Sequence, residues 1–199
     1  MTTETDTLES IRKNVNQFMN SLLEQDFIKI TKFSDKEKKI IANSHKRHDL
    51  GLSIFKKIIE ADKNNQILTD DEFSIFTFKY VITNLNEEIE LVKIVLKAIL
   101  NSDKINTDNN ITYGILLGRC FDKLHYDDEH IAYMKDVFLL EFRNAYTHLE
   151  YEINGNEFSY KDSSGALVKF DLEGLRLIHR RYIETTETMM YFLKKNILT

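Results

Sequence analysis

From Phe78 to Ile99 the apolar residues step by three or four without a gap: Phe78, Val81, Leu85, Ile89, Val92, Leu96 and Ile99. That spacing holds one apolar face of an α-helix together for about six turns. The 199 residues contain no proline. Nothing therefore breaks such a helix by removing an amide donor and crowding the turn before it. A chain of this kind buries its apolar stripes helix against helix.

The same periodicity recurs along the chain. Residues 6–30 read as a helix through Leu8, Ile11, Val15, Phe18 or Met19, Leu22 and Leu23. Ser34 followed by Glu37 is a capping box opening a helix over about 35–62. Asp62 to Gln66 is polar and reads as a connection. Thr69 or Asp70 caps the long helix, about 71–101, and 103–110 is a polar loop. A helix over about 111–124 follows. The next starts near Asp127 and carries Ile131, Met134, Phe138, Phe142 and Ala145 on one face.

After His148 the period changes. Residues 149–154 and 156–161 flank Asn154-Gly155, a hairpin signal, and 166–170 offers a third short strand. Asp171 caps a last helix, about 172–196. The expected fold is all-α, a helical bundle with a small β-hairpin inserted before the last helix. Residues 1–66 read as an N-terminal helical pair added to a bundle over 67–199.

Charge and cysteine content narrow the function classes. Lys and Arg number 27 against 32 Asp and Glu, a net charge of −5. No bulk positive charge advertises nucleic acid, so any RNA contact is local. A single cysteine, Cys120, permits no intrachain disulfide and no Cys-rich zinc site, and reads as a buried small hydrophobe. The first residues carry no basic and apolar leader, and no run of ~18 apolar residues spans a membrane. A cytoplasmic chain without a membrane partner is expected.

One segment carries chemistry: Glu141-Phe142-Arg143-Asn144-Ala145-Tyr146-Thr147-His148. It places Arg-Asn-x-x-x-His at the end of an amphipathic helix, ahead of a hairpin and a closing helix. This combination, over roughly 70–199, resembles the HEPN superfamily (higher eukaryotes and prokaryotes nucleotide-binding domains), whose signature is Arg, a polar residue, then His four to six residues after the Arg. The resemblance implies a metal-independent endoribonuclease of the kind found in toxin–antitoxin and antiviral defence systems. It implies a homodimer with a composite active site, to which Arg143, Asn144 and His148 contribute. It implies RNA as partner, an antitoxin or other regulatory protein as a second one, and no cofactor or metal. One toxin subgroup has tyrosine two residues after the histidine. Here Glu150 holds that place and Tyr151 comes one later. Glu141 and Tyr151 are auxiliary candidates.

The residue types suit that chemistry. RNA supplies its own nucleophile, the 2′-hydroxyl. Cleavage needs a base for its proton, an acid for the leaving 5′-oxygen, and positive charge on the developing phosphorane. Histidine serves as base or acid near neutral pH, and arginine presents a fixed donor fork to phosphate. Asparagine orients a phosphate oxygen or the imidazole. On a regular helix Asn144 and His148 share a face, while Arg143 and His148 lie about 140° apart. Either the helix ends near His148 or the arginine works across an interface. The competing reading is a non-catalytic HEPN-like module that binds nucleotide, RNA or a partner protein. A third is an unrelated bundle in which Arg143 and His148 merely solvate a helix end.

Other clusters are weaker. His45 has helical spacing for a metal pair with His48 (i, i+3) or with Asp49 (i, i+4), but no third well-placed ligand is evident, and the segment reads better as a solvated face. Arg176, His179 and Arg180 on the last helix are candidate RNA-phosphate contacts, against pairing with Glu173, Glu184 and Glu187. His125 and His130 flank a loop. The tyrosines are scattered rather than interleaved with basic residues, and suit core edges better than base stacking.

Overall fold

A computed structural model describes residues 4–29, 33–65, 68–108, 110–155 and 157–196. Ile30, Gln66, Asn109 and Asn156, at the ends or within elements expected from the sequence, lie outside them. The helices are α1 (Glu4–Glu24), α2 (Asp35–Asn65), α3 (Asp70–Ile99), α4 (Tyr113–Leu124), α5 (Asp128–Val137), α6 (Leu140–His148) and α7 (Leu172–Asn196). Strands β1 (Tyr151–Asn154), β2 (Glu157–Lys161) and β3 (Leu167–Asp171) stand between α6 and α7. The fold is all-α with a small β insertion, as the periodicity implies. No helix among the described residues is long and apolar enough to cross a membrane.

The capping signals act as their chemistry dictates. Thr69 and Glu72 form a reciprocal capping box at α3, and Ser34 and Glu37 do so at α2. Asp171 Oδ1 accepts the Gly174 amide at 2.7 Å, which starts α7. The sheet is antiparallel in the order β1-β2-β3, with Tyr151 opposite Tyr160 and Phe158 opposite Phe170. Gly155 takes φ 55° in the β1–β2 turn, a conformation that glycine adopts without strain. The face carrying Phe158 and Tyr160 packs on Phe142 of α6, with ring centroids 5.5 and 6.2 Å away.

Three boundaries differ from the sequence expectation. Helix α1 stops at Glu24 rather than 30. Beyond it the chain runs beside the end of α3, where Lys29 N–H donates to Ile99 O and Asn101 N–H to Phe27 O, both at 2.8 Å. Those bonds occupy backbone groups left open where a helix ends. Helix α2 continues through the polar Asp62–Asn65 stretch. The helix expected from Asp127 through Ala145 is two helices, α5 and α6, broken at Leu139 with φ 50°. Tertiary partners take the carbonyls exposed there. Tyr113 Oη donates to Phe138 O at 3.3 Å, and Thr185 Oγ1 to Val137 O at 3.5 Å.

The core lies between α1, α3, α4 and α7. Phe18 of α1 meets Phe121 and Phe138 edge-on at 5.9 and 5.4 Å. Val15, Leu85, Leu117, Tyr182 and Leu193 are fully enclosed with it. The core therefore crosses the sequence boundary at residue 66. Helix α2 has no buried side chain among its described residues and leans on α3, where Phe55 stacks on Tyr80 at 4.2 Å.

Candidate active site

The Arg-Asn-x-x-x-His segment occupies most of α6, whose short span follows from its two ends. At its start, the turn at Leu139 sets a new axis. At its finish, Leu149 adopts φ 58°, Leu149 N–H donates to Tyr146 O at 3.2 Å, and Glu150 N–H to Ala145 O at 2.8 Å. This is a Schellman closure with leucine where glycine is usual. His148 is the last helical residue and is exposed, beside a Leu149 that is 76% exposed. Asn144, half-buried, sits one turn before His148 on the same face. Among the described residues neither side chain is hydrogen-bonded.

Arg143 points the other way. It is 9% exposed, and its Nη2 donates to Glu90 Oε1 of α3 at 3.2 Å. Its Nε is buried without a hydrogen-bond partner. Lys93 also reaches Glu90, at 3.4 Å. Behind the pair, the hydroxyls of Tyr113 and Tyr182 meet at 3.2 Å. Burial pushes both phenols up, and the Glu90 carboxylate adds to the effect on each. The helix stays regular through His148, so within one copy the arginine and the histidine face different directions.

The remaining candidates are dispersed. Glu141 accepts from the amide and hydroxyl of Ser163, each at 3.0 Å, at the opposite end of α6 from His148. Tyr151 stacks on Tyr146 at 5.7 Å, alongside the motif. His179 Nε2 lies 3.2 Å from Glu88 Oε1, half-buried between α7 and α3. Arg176 is exposed and pairs with Glu173 at 3.7 Å, and Arg180 is exposed. The side chains of His45 and His48 lie outside the described ones. Among the described residues no group of three or more His, Cys, Asp or Glu is placed to hold a metal ion.

Sequence reasoning missed Glu88 and Glu90. Their signal was present: two carboxylates in the middle of the long helix, beside the core positions Leu85, Ile89 and Val92. A buried cation needs such a partner, and nothing on α6 itself supplies one.

The chain matches no family of known proteins, no curated protein and no solved structure.

Proposed function

We propose that this chain is a metal-independent endoribonuclease of HEPN type, acting as a homodimer on single-stranded RNA. The observation that carries the reading is the disposition of the motif. His148 stands exposed at the end of α6 with Asn144 one turn below it, and Arg143 anchors the same helix to α3. The helix then leads into a small sheet and a closing helix, the order in which the resembling superfamily presents its motif.

In this reading His148 takes the 2′-hydroxyl proton or returns one to the 5′-oxygen. Two copies of His148 across a dimer divide those roles. Arg143 stabilises the phosphorane, with phosphate oxygens taking the place of Glu90 on its fork. Asn144 orients substrate or imidazole. Because Arg143 and His148 diverge on one helix, the site is completed by the second copy. The products are a 2′,3′-cyclic phosphate and a 5′-hydroxyl. The proposed setting is cytoplasmic, in defence or toxin–antitoxin stress response, with an antitoxin or regulatory protein as partner.

A second reading is favoured by one observation. Arg143 is almost enclosed and already holds a carboxylate, which suits a non-catalytic HEPN-like module that binds nucleotide, RNA or protein. A cleavage assay on mixed single-stranded RNA in EDTA separates the two. Wild type is expected to cleave to cyclic-phosphate ends, and His148→Ala to lose about a hundredfold or more, the usual contribution of a general acid or base. RNA bound but left intact by a folded dimer would establish the module instead. Equal cleavage by both proteins would remove His148 from the site.

A further inference from the structure

The guanidinium of Arg143 is half used. The Nε–H and Nη2–H groups of an arginine form one edge, a fork that matches two oxygens at once. Arg12 shows the full arrangement, with Nε and Nη2 on the two oxygens of Glu184. At Arg143 only Nη2 is taken, by Glu90 Oε1 at 3.2 Å, and Nε is buried without a partner. The residue is 9% exposed, and bulk water does not reach that nitrogen. A buried donor in this state carries a desolvation cost that a better-matched anion removes.

Glu90 fills the fork poorly because it serves two cations. Its other oxygen, Oε2, accepts from Lys93 Nζ at 3.4 Å. One planar carboxylate thus bridges a guanidinium and an ammonium, with one oxygen for each. A tetrahedral phosphate offers more oxygens, enough for both members of the fork and for the ammonium. The side chains of Glu90 and Lys93 are both partly open to solvent, so the carboxylate can swing outward without disturbing the core. Lys97 stands one turn beyond Lys93 on the same side of α3, and Glu87 one turn before Glu90. Cations therefore outnumber carboxylates there once Glu90 withdraws.

We propose that Arg143 and Lys93 together form a phosphate-binding subsite, which Glu90 occupies as an internal competitor until a phosphate group displaces it. The inference rests on the function proposed above in one respect, that Arg143 meets phosphate. It adds Lys93 as a residue that contacts the substrate, and it gives Glu90 the role of holding the site shut. The phosphate comes from one of two sources, an RNA strand or a mononucleotide.

The test follows the Arg143 Nε–H resonance in proton–nitrogen NMR spectra of the full chain. The probes are uridine 3′-phosphate and a short oligouridylate with every 2′-oxygen methylated, which lacks the nucleophile for cleavage. Both are expected to move that resonance. Glu90→Gln is expected to bind each probe about tenfold tighter or more, since the competing charge is gone. Lys93→Gln is expected to bind about threefold weaker. A pair that only supports the fold would give Glu90→Gln a loss of stability with no gain in affinity. Lys93→Gln changes a side chain outside the core, so it tests the subsite even where Glu90→Gln does not fold. Tighter binding of the strand than of the mononucleotide assigns the subsite to RNA, and binding no tighter assigns it to a nucleotide. An Arg143 resonance unmoved in both wild type and Glu90→Gln, no gain in affinity in a folded Glu90→Gln, or undiminished affinity in Lys93→Gln would each overturn the proposal. These outcomes are distinct from those of the cleavage assay. Phosphate bound at Arg143 while RNA stays intact keeps the subsite and removes the nuclease. RNA cut by wild type with no gain in Glu90→Gln does the reverse.

Discussion

Arg143 donates to one oxygen of Glu90 and keeps a second buried nitrogen without a partner. A guanidinium in that position depends on its one carboxylate. Removing the charge of the partner leaves the cation's desolvation in place with less to offset it. The Glu90 side chain is 37% exposed, so water screens part of the effect. Glu90→Gln is expected to lower stability by about 1 to 2 kcal/mol in urea denaturation. Leu149 poses the opposite case. It holds φ 58° while burying little of its side chain. A left-handed leucine costs about 1 to 2 kcal/mol in backbone strain, partly regained as the lower unfolded-state entropy compared with glycine. Leu149→Gly is expected to raise stability by about 0.5 to 1 kcal/mol, read as a higher denaturation midpoint at unchanged slope. Such strain beside an exposed histidine is a feature that functional sites tolerate and packing alone does not ask for.

The elements were legible where a local pattern determines them. Thr69 with Glu72, Ser34 with Glu37, Asn154-Gly155 and Asp171 each act within a few residues, and each places an element boundary close to where its chemistry predicts. The break between α5 and α6 was not legible, because its cause is remote in sequence. Ile131, Met134, Phe138, Phe142 and Ala145 keep helical spacing straight through it. What stabilises the turn at Leu139 is a tyrosine on α4 and a threonine on α7, which accept the duty of bonding the freed carbonyls of Phe138 and Val137. The same break turns Arg143 toward Glu90, so half of the candidate site's geometry came from contacts no spacing rule sees. Tyr113→Phe tests the dependence. It deprives the Phe138 carbonyl and the Tyr182 hydroxyl of a partner at once, both buried. A loss of about 1 to 3 kcal/mol is expected, together with faster hydrogen exchange of the α6 amides, since that helix is fixed through the turn.

At the scale of the molecule, packing does not follow the sequence boundary at residue 66. Helix α1 is as much a part of the core as α3 and α7, because Phe18 and Met19 face inward where α4 and α7 converge. Its amphipathic stripe was visible in the sequence, but a stripe states only that a partner exists and not which one. Burial on this scale also sets how the whole chain responds to alkali. Cys120 is enclosed in α4, and burial raises its thiol from the ordinary 9.0 to about 12. Tyr160 is raised to about 12 as well, and Tyr113 and Tyr182 are raised by burial. A group whose folded value lies above its unfolded value binds its proton longer in the folded state. Its contribution is complete below the unfolded value and is lost as pH rises toward the folded one. Stability is therefore expected to hold up to about pH 9 and then fall, with the thiol alone contributing about 1.4 kcal/mol per pH unit above that point. The tyrosines steepen the fall above about pH 10. Urea denaturation at pH 8, 9 and 10 reads the slope. Cys120→Ala, compared at the same three values, is expected to flatten the part between 9 and 10 while leaving the phenol-driven part intact. An unchanged slope in that variant would mean that the thiol is ionised in the folded chain, and so that α4 opens to solvent far more readily than its enclosed core face implies.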